Sequence, residues 1–113
     1  MPYDEDMVNR LRELLADRDA ITEKQMFGGL AFLLHGNMTV AASRTGGLLV
    51  RIDPAEAPKA LGRKHAMQME MGAGRRPEGW ILVAPEGVKT KRQLEPWVRR
   101  SLAFVETLPP KAG

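Results

Sequence analysis

Apolar residues recur along this chain with two different periods, which divide it into helical and strand-forming stretches. Residues 4–16 have the helical period, because their apolar positions follow the i, i+4, i+7, i+8 spacing that shares one side of a helix. These positions are Met7, Val8, Leu11, Leu14 and Leu15. Asp4 precedes them as a preferred N-cap residue. The pattern predicts a first helix that packs on a sheet, followed by a connection over residues 17–22.

The strand-forming centre of the chain is residues 26–53, where three short apolar runs are separated by glycine-containing turns. Residues 25–34 are apolar almost throughout, which predicts one strand that is covered on both faces or that uses an exposed face for binding. Gly28 and Gly29 interrupt this strand early. Two glycines within a strand predict a bulge or the close approach of another backbone. A phosphate-binding loop would also need a following lysine and hydroxyl residue, which this stretch lacks.

Two further strands are predicted over residues 38–42 and 48–52. Gly36 and Asn37 form a two-residue hairpin signal before the first of them. In the second, successive side chains point to opposite faces of the sheet. Arg51 therefore lies on the face opposite the apolar triplet Leu48, Val50 and Ile52. A solvent-facing arginine is the more ordinary interpretation, and a clamp for a carboxylate or phosphate is the functional one.

A short second helix is predicted to start at Asp53, with Pro54 at the first helical position, where its missing N–H costs nothing. Gly62 ends this helix, and Pro58 within it makes it short or bent. A last strand follows over residues 79–84, where branched and aromatic residues are frequent.

The last helix is predicted to begin at Glu95, with Pro96 at its first position. Thr90 and Gln93 have capping-box spacing and favour an earlier start, but a proline inside the helix argues against it.

The stretch between the second helix and the last strand has three methionines at every second position, Met67, Met69 and Met71. With His65 nearby, their thioethers suit Cu(I) as soft ligands. The favoured interpretation is an extended segment whose methionines pack on the domain while Gln68 and Glu70 face water.

Four basic residues flank these methionines: Arg63, Lys64, Arg75 and Arg76. If the two ends of the segment fold back together, they form one basic patch for an acidic protein or a phosphate. No aromatic residue lies between them, which argues against a platform for stacking single-stranded bases. An ordinary solvated loop is the other interpretation.

Size and composition predict a single domain over residues 3–111. The chain has 113 residues, of which 43% are hydrophobic, and it can bury one modest core. It has no cysteine, which excludes disulfides, thiolate nucleophiles and cysteine-bound zinc. Neither a signal peptide nor a membrane span is recognised, so we expect a cytoplasmic protein.

The net charge of +3 is distributed unevenly. Residues 1–43 contain four Lys and Arg against seven Asp and Glu, and residues 44–113 contain thirteen against seven. A basic C-terminal half attracts nucleic acid or an acidic protein surface, although surplus solvated cations give the same balance.

Five motifs occur in a characteristic order, with helices before, between and after them. They are Met26-Phe27-Gly28-Gly29, Gly36-Asn37-Met38, Leu49-Val50-Arg51-Ile52-Asp53-Pro54, Arg76-Pro77-Glu78-Gly79-Trp80 and Pro96-Trp97-Val98. This arrangement resembles the N-terminal domain family of TfoX/Sxy and covers nearly the whole chain.

The resemblance implies an α+β fold. We expect a small single domain with a four-stranded, mainly antiparallel sheet in the order α-β-β-β-α-β-α, and helices packed against it. It also implies a stand-alone domain related to regulators of natural competence, which promote transcription together with a cyclic-AMP-responsive activator. The family supplies no catalytic motif.

Two function classes follow for the chain. His35 and His65 have no sequence partner of the kind that a catalytic triad or a metal site requires, so we expect no enzyme activity, no metal and no cofactor. The first class is a regulatory module that binds a protein, with the transcription machinery as the expected partner. The candidate contact residues are Arg63, Lys64, Met67, Met69, Met71, Arg75 and Arg76. The alternative is direct nucleic-acid binding by the basic C-terminal half.

Overall fold

One antiparallel sheet organises the fold, and helices cover one of its faces. The computed structural model describes residues 3–26, 28–70 and 74–111. Within these residues the strands are β1 (Ile21–Met26), β2 (Gly29–Leu34), β3 (Asn37–Ala42), β4 (Leu48–Arg51), β5 (Ala66–Gln68) and β6 (Trp80–Val83). The helices are α1 (Glu5–Leu15), α2 (Ala57–Leu61) and α3 (Lys91–Val105). The strands lie in the order β1-β2-β3-β4-β6-β5.

The predicted fold class is confirmed, but the described sheet has six strands rather than four. The two additional strands, β1 and β5, are its edges. Neither carries a strong strand pattern, because β1 is exposed along most of its length and β5 has only three residues. No helix in the described part of the chain has the length and apolar composition needed to span a membrane.

The predicted N-caps Asp4 and Asp53 are confirmed, but Asp53 caps a 3-10 turn, and α2 itself begins at Ala57. The Asp4 carboxylate accepts hydrogen bonds from the amides of Asp6 and Met7, at 2.9 and 3.3 Å. The Asp53 carboxylate accepts one from the amide of Ala55 at 2.9 Å, and a short 3-10 turn leads into α2. These contacts satisfy amides that the helix itself leaves without partners.

The predicted start of α3 at Glu95 is wrong, because the helix begins at Lys91. Thr90 and Gln93 form the complete capping box: the Gln93 amide donates to the Thr90 hydroxyl at 3.1 Å, and the Thr90 amide donates to the Gln93 side chain at 3.2 Å. Leu94 is fully buried in the first turn. These contacts outweigh the one backbone hydrogen bond that Pro96 removes within the helix.

The single strand predicted over residues 25–34 is in fact a hairpin of β1 and β2. Gly28 has a φ of +76° and lies in the connection, while Phe27 lies outside the described residues. Gly29 confirms the predicted close approach of another backbone, because a Cβ there would lie 2.0 Å from the carbonyl oxygen of Ala42.

The next hairpin turns one residue earlier than predicted. β2 ends at Leu34 and β3 begins at Asn37, so His35 and Gly36 are the two central residues. Both have positive φ, 50° and 82°. This is the requirement of the type I′ turn, whose twist matches that of the flanking strands.

A β-bulge interrupts the pairing of β2 with β3. Phe32 pairs with Val40 and Leu33 pairs with Met38, so Thr39 is the extra residue. Thr39 is buried, and its hydroxyl donates a 2.8 Å hydrogen bond to the carbonyl of Phe32. An extra residue reverses the alternation of side chains beyond it.

Buried apolar residues form two clusters, one on each face of the sheet. The larger cluster contains all the buried apolar residues of the three helices together with the strand residues that face them. Phe32, Val40, Val50 and Ile81 are its central strand members, and we call this face of the sheet the helix side. The smaller cluster centres on Ala31, Ala41 and Leu49 and contains only residues of the strands and the segment after β5.

Candidate functional site

The sheet face opposite the helix side is the candidate site, and we call it the open face. No helix among the described residues contributes to its apolar cluster. Partly buried side chains surround the three buried residues at its centre. The apolar residues that define the open face are Met26, Leu33, Met38, Leu49, Met69 and Trp80.

A recess of about 600 Å³ lies on the open face and is lined by all six of these side chains. A smaller recess of about 180 Å³ adjoins it, since Met26, Leu49 and Met69 line both. The open face therefore has a concave apolar floor rather than a flat polar surface.

The bulge at Thr39 places Met38 on this floor. Without the extra residue, the side chain of Met38 would point to the same face as that of Val40, which is the helix side. With it, Met38 pairs with Leu33 and joins the open-face cluster. The bulge thus adds a long apolar side chain to the recess.

Arg51 lies at the recess beside Trp80, its cross-strand partner in the pairing of β4 with β6. Its guanidinium carbon is 5.5 Å from the centroid of the Trp80 ring and 5.7 Å from that of Phe104. These distances are typical of cation–π contacts. The predicted orientation of Arg51, opposite the apolar triplet of β4, is confirmed.

Two lysines complete the positive charge around the recess, Lys24 on β1 and Lys111 after α3. The backbone near Lys111 is held to the second hairpin. The Lys111 amide donates to the His35 carbonyl at 2.8 Å, and the Asn37 side-chain amide donates to the Pro109 carbonyl at 2.9 Å. Two hydrogen bonds thereby hold the backbone at Lys111 against this hairpin, although Lys111 lies well after the last strand in the sequence.

Glu23 is the acidic residue among the described residues that line the recess, but it lies opposite Phe32 of the helix side, and its carboxylate is paired with Arg12 of α1. The Arg12 Nε and Nη2 atoms each donate to one Glu23 carboxylate oxygen at 2.8 Å. These hydrogen bonds lower the pKa of Glu23 more than its partial burial raises it. The negative charge of Glu23 is therefore offset, and the cations dominate the rim.

The structure places two of the three predicted methionines on the open face. Met67 pairs with Leu82 across β5 and β6 and is 46% exposed, whereas Met69 is half-buried in the apolar cluster. Met71 lies outside the described residues.

The prediction that Gln68 faces water is wrong. It is half-buried, and its side-chain amide donates to the carbonyls of Met69, Pro77 and Trp80 at 3.0–3.3 Å. Met69 and Pro77 lie between β5 and β6, and Trp80 begins β6, so Gln68 holds this connection to the sheet. Glu70 is exposed as predicted.

The four predicted basic residues lie at the two ends of β5. Arg63 and Lys64 precede the strand, and Arg75 and Arg76 follow it in the loop before β6. Arg76 donates to the Glu70 carboxylate, with Nε and Nη2 at 3.0 and 2.9 Å. The strand therefore separates the two pairs, and part of the charge of the second pair is offset.

Arg63 instead lies near Arg100 of α3, where both line a recess of about 300 Å³ together with Lys59. The Arg100 guanidinium carbon is 5.1 Å from the Trp97 ring centroid, and its buried Nη1 has no hydrogen-bond partner among the described residues. Burial lowers the pKa of Arg100, Arg63 lowers it further, and Glu56 opposes the shift. The basic residues of the C-terminal half are thus distributed over more than one surface.

The outer edge of β1 is a poorer candidate for an interface between copies. Two copies of β1 could pair antiparallel about a two-fold axis, which places one residue opposite the same residue of the other copy. If the pairing uses most of the strand and keeps each sheet face continuous, that residue is Glu23 or Lys24. Either register places like charges opposite each other, which is a common protection of edge strands.

Sequence reasoning missed most of the open face, including Leu33, Met38 and Leu49. The available signal was the presence of apolar residues on both faces of antiparallel strands, where one solvated face usually alternates with polar residues. No group of three or more His, Cys, Asp or Glu residues that could hold a metal occurs in the described part of the chain.

The chain matches a known protein family. A family model described as the TfoX N-terminal domain matches residues 13–105, which is 93 of the 113 residues. No curated protein matches the chain, and no solved structure does so either.

Proposed function

Because this chain belongs to the TfoX N-terminal domain family, we propose that it is a non-catalytic regulatory module that binds a protein partner through its open face. The resemblance to regulators of competence supports a partner in the transcription machinery. The family alone does not locate the contact surface, so that part of the proposal is argued from the molecule.

The observation that carries the proposal is the apolar composition of a sheet face that no described helix covers. An antiparallel sheet of this kind normally has polar residues on its second face. Here Leu33, Leu49 and Trp80 lie on three different strands of that face. A contiguous apolar surface rimmed by polar groups is typical of an interaction site.

The methionines of the open face suit a contact surface. Met26, Met38, Met67 and Met69 have unbranched, polarizable side chains that adapt to the shape of a partner. Trp80 adds a rigid aromatic side chain of the type that supplies much of the binding energy at interfaces.

The polar residues of the large recess support a binding role rather than catalysis. Its acidic residue, Glu23, is held by Arg12, and the other charged residues of the lining that the structure describes are cations. A general acid or base is usually a histidine or a carboxylate that is available to the substrate.

The experiment compares partner capture by the wild-type domain and by two open-face variants, Met38→Glu and Met69→Glu. A charge on the apolar floor must be desolvated when a partner docks, so both variants should lose the captured protein. Ala103→Glu is the matched control, because Ala103 is exposed on α3 at the other side of the molecule.

Far-UV circular dichroism and thermal melting should first establish that all three variants are folded. Retention of the same partner by both open-face variants would contradict the proposal. Equal loss in Ala103→Glu would do so as well, because the effect would then not be specific to the open face.

Direct nucleic-acid binding is the second candidate function, and the convergence of Lys59, Arg63 and Arg100 on one recess favours it. A binding constant that remains micromolar at about 150 mM salt would support this candidate, since non-specific binding is weak there. Arg63→Glu should then remove it. Binding that occurs only at low salt would show that the basic residues attract nucleic acid without specific recognition.

A further inference from the structure

We propose that the open face selects an acidic, amphipathic segment of its protein partner, and that Arg51 determines this specificity by binding a carboxylate of that segment. The inference rests on the proposed function and adds the chemistry of the partner. It is carried by the charge around the recess, the setting of Arg51 and the composition of the floor.

The charge around the large recess is positive. Lys24, Arg51 and Lys111 line it, and none of them is within salt-bridge distance of a carboxylate among the described residues. Glu23 lines it too, but its two oxygens are occupied by Arg12. A docking segment therefore meets three available cations, which favours carboxylates and disfavours lysine or arginine.

Arg51 is the most constrained of these cations. Its guanidinium lies near both Trp80 and Phe104, at 5.5 and 5.7 Å from the ring centroids. Two aromatic contacts limit the orientations of the planar group and lower the entropy that is lost on binding. A guanidinium of fixed orientation matches a carboxylate with two parallel hydrogen bonds, which a lysine ammonium cannot reproduce.

The apolar floor next to Arg51 favours a partner segment that also carries apolar side chains. Met38, Leu49 and Met69 lie there, and the recess of about 600 Å³ is in the volume range of ordinary binding pockets. A segment with leucine or aromatic residues on one side and carboxylates beside them would fill the floor and reach the rim together.

Nucleic acid fits this surface less well. Sequence-tolerant binding of single strands uses several aromatic platforms in succession. Among the described residues the recess offers one, Trp80, and its other apolar lining residues there are methionines and leucines.

The test is selection of a random 12-residue peptide library on the folded wild-type domain at physiological salt. We expect the enriched peptides to combine Asp or Glu with Leu, Phe, Trp or Met. Enrichment of neutral or basic peptides, or no enrichment above a blank surface, would overturn the inference. So would preferential capture of mixed-sequence DNA, or self-association through the open face, in place of peptide binding.

The variant Arg51→Met then tests the role of Arg51 with one selected peptide. Methionine retains much of the apolar stem, so we expect a folded protein whose affinity falls at least about tenfold. Arg51→Lys should recover only part of that loss, because it restores the charge without the planar fork. Arg92→Met, which removes the same charge at an exposed position on α3, should bind like the wild type.

A peptide variant separates this inference from the proposed function. Changing the carboxylates of the selected peptide to amides should weaken binding to the wild type more than binding to Arg51→Met, which among the described residues retains only Lys24 and Lys111 as cations of the recess. If open-face variants lose the peptide while this amide change has no effect, the face binds partners without acid selection. If Met69→Glu also binds normally, the open face itself is not the site.

Discussion

The Thr39 hydroxyl donates a 2.8 Å hydrogen bond to the Phe32 carbonyl within the bulge between β2 and β3. This hydrogen bond lies at the bulge that determines which side chains of β3 lie on the open face. The bulge transfers Met38 from the helix side to the floor of the recess. A local feature of one hairpin thus supplies part of the proposed interaction surface.

Replacement of Thr39 by valine should destabilise the protein by about 1–2 kcal/mol. Valine preserves the shape but leaves the Phe32 carbonyl without the hydroxyl in a buried environment. Urea unfolding measures the free energy of unfolding. An unchanged dependence of that free energy on urea concentration indicates that the fold is intact. The exposed Thr22→Val is the control and should change it by less than about 0.5 kcal/mol. Equal stability of Thr39→Val and wild type would show that this hydrogen bond is dispensable.

Replacement of Gly29 by alanine should cost about 2–3 kcal/mol or more, because the new Cβ would lie 2.0 Å from the Ala42 carbonyl oxygen. A backbone atom cannot rotate away as a side chain would. Gly62→Ala is the matched control: its φ is −77°, and the nearest atom to its Cβ is 3.4 Å away. That variant should be neutral or slightly stabilised in thermal melting. A Gly29→Ala protein that melts like the control would contradict the close approach of β2 and β3.

The Arg12–Glu23 pair predicts a specific dependence of stability on pH. The hydrogen bonds from Arg12 lower the pKa of Glu23 in the folded protein. The pair therefore stabilises the fold above the pKa of an unfolded glutamate, near 4.3, and this contribution is lost as the pH falls through the lower folded value.

Glu23→Gln should accordingly be less stable than wild type at pH 7, with the difference disappearing in the acid range. Chemical denaturation from pH 7 to about pH 2.5 measures this difference. Both side chains are partly exposed, so the effect should be small and should decrease with salt. Glu78→Gln, at an exposed position, is the control. A stability difference between Glu23→Gln and wild type that grows toward low pH would contradict this prediction.

Replacement of Thr90 by alanine should destabilise the protein by about 1 kcal/mol, since it removes one half of the α3 capping box. Arg92→Ala, at an exposed position in the same first turn, should be almost neutral. Thermal or urea unfolding distinguishes the two. If both variants equal the wild type, the helix does not depend on a cap at residue 90.

Local signals in the sequence predicted the local features of the fold. The caps at Asp4 and Asp53 depend on a few adjacent residues, and both were recognised. The start of α3 was not, because the sequence offers two local signals, a capping box and Pro96, and their relative strength depends on the burial of Leu94.

The missing strands and most of the open face depend on contacts between distant segments. β1 is a polar edge strand, so it lacks the apolar alternation by which strands are recognised. The orientation of Met38 depends on a bulge that no local motif marks. Met67 and Met69 were predicted as contact residues and do lie on the open face, but their neighbours there come from other strands.

The most direct test of the central claim uses the methionines as reporters. The protein is labelled with ¹³C at the methionine methyl groups, and spectra are recorded with and without the captured partner or the selected acidic peptide. We expect the signals of Met26, Met38 and Met69 to shift or broaden on binding. The signal of Met7, which is 1% exposed on α1 behind the sheet, should stay unchanged. Binding that leaves the open-face methionines unaffected would contradict the claim that this face is the site.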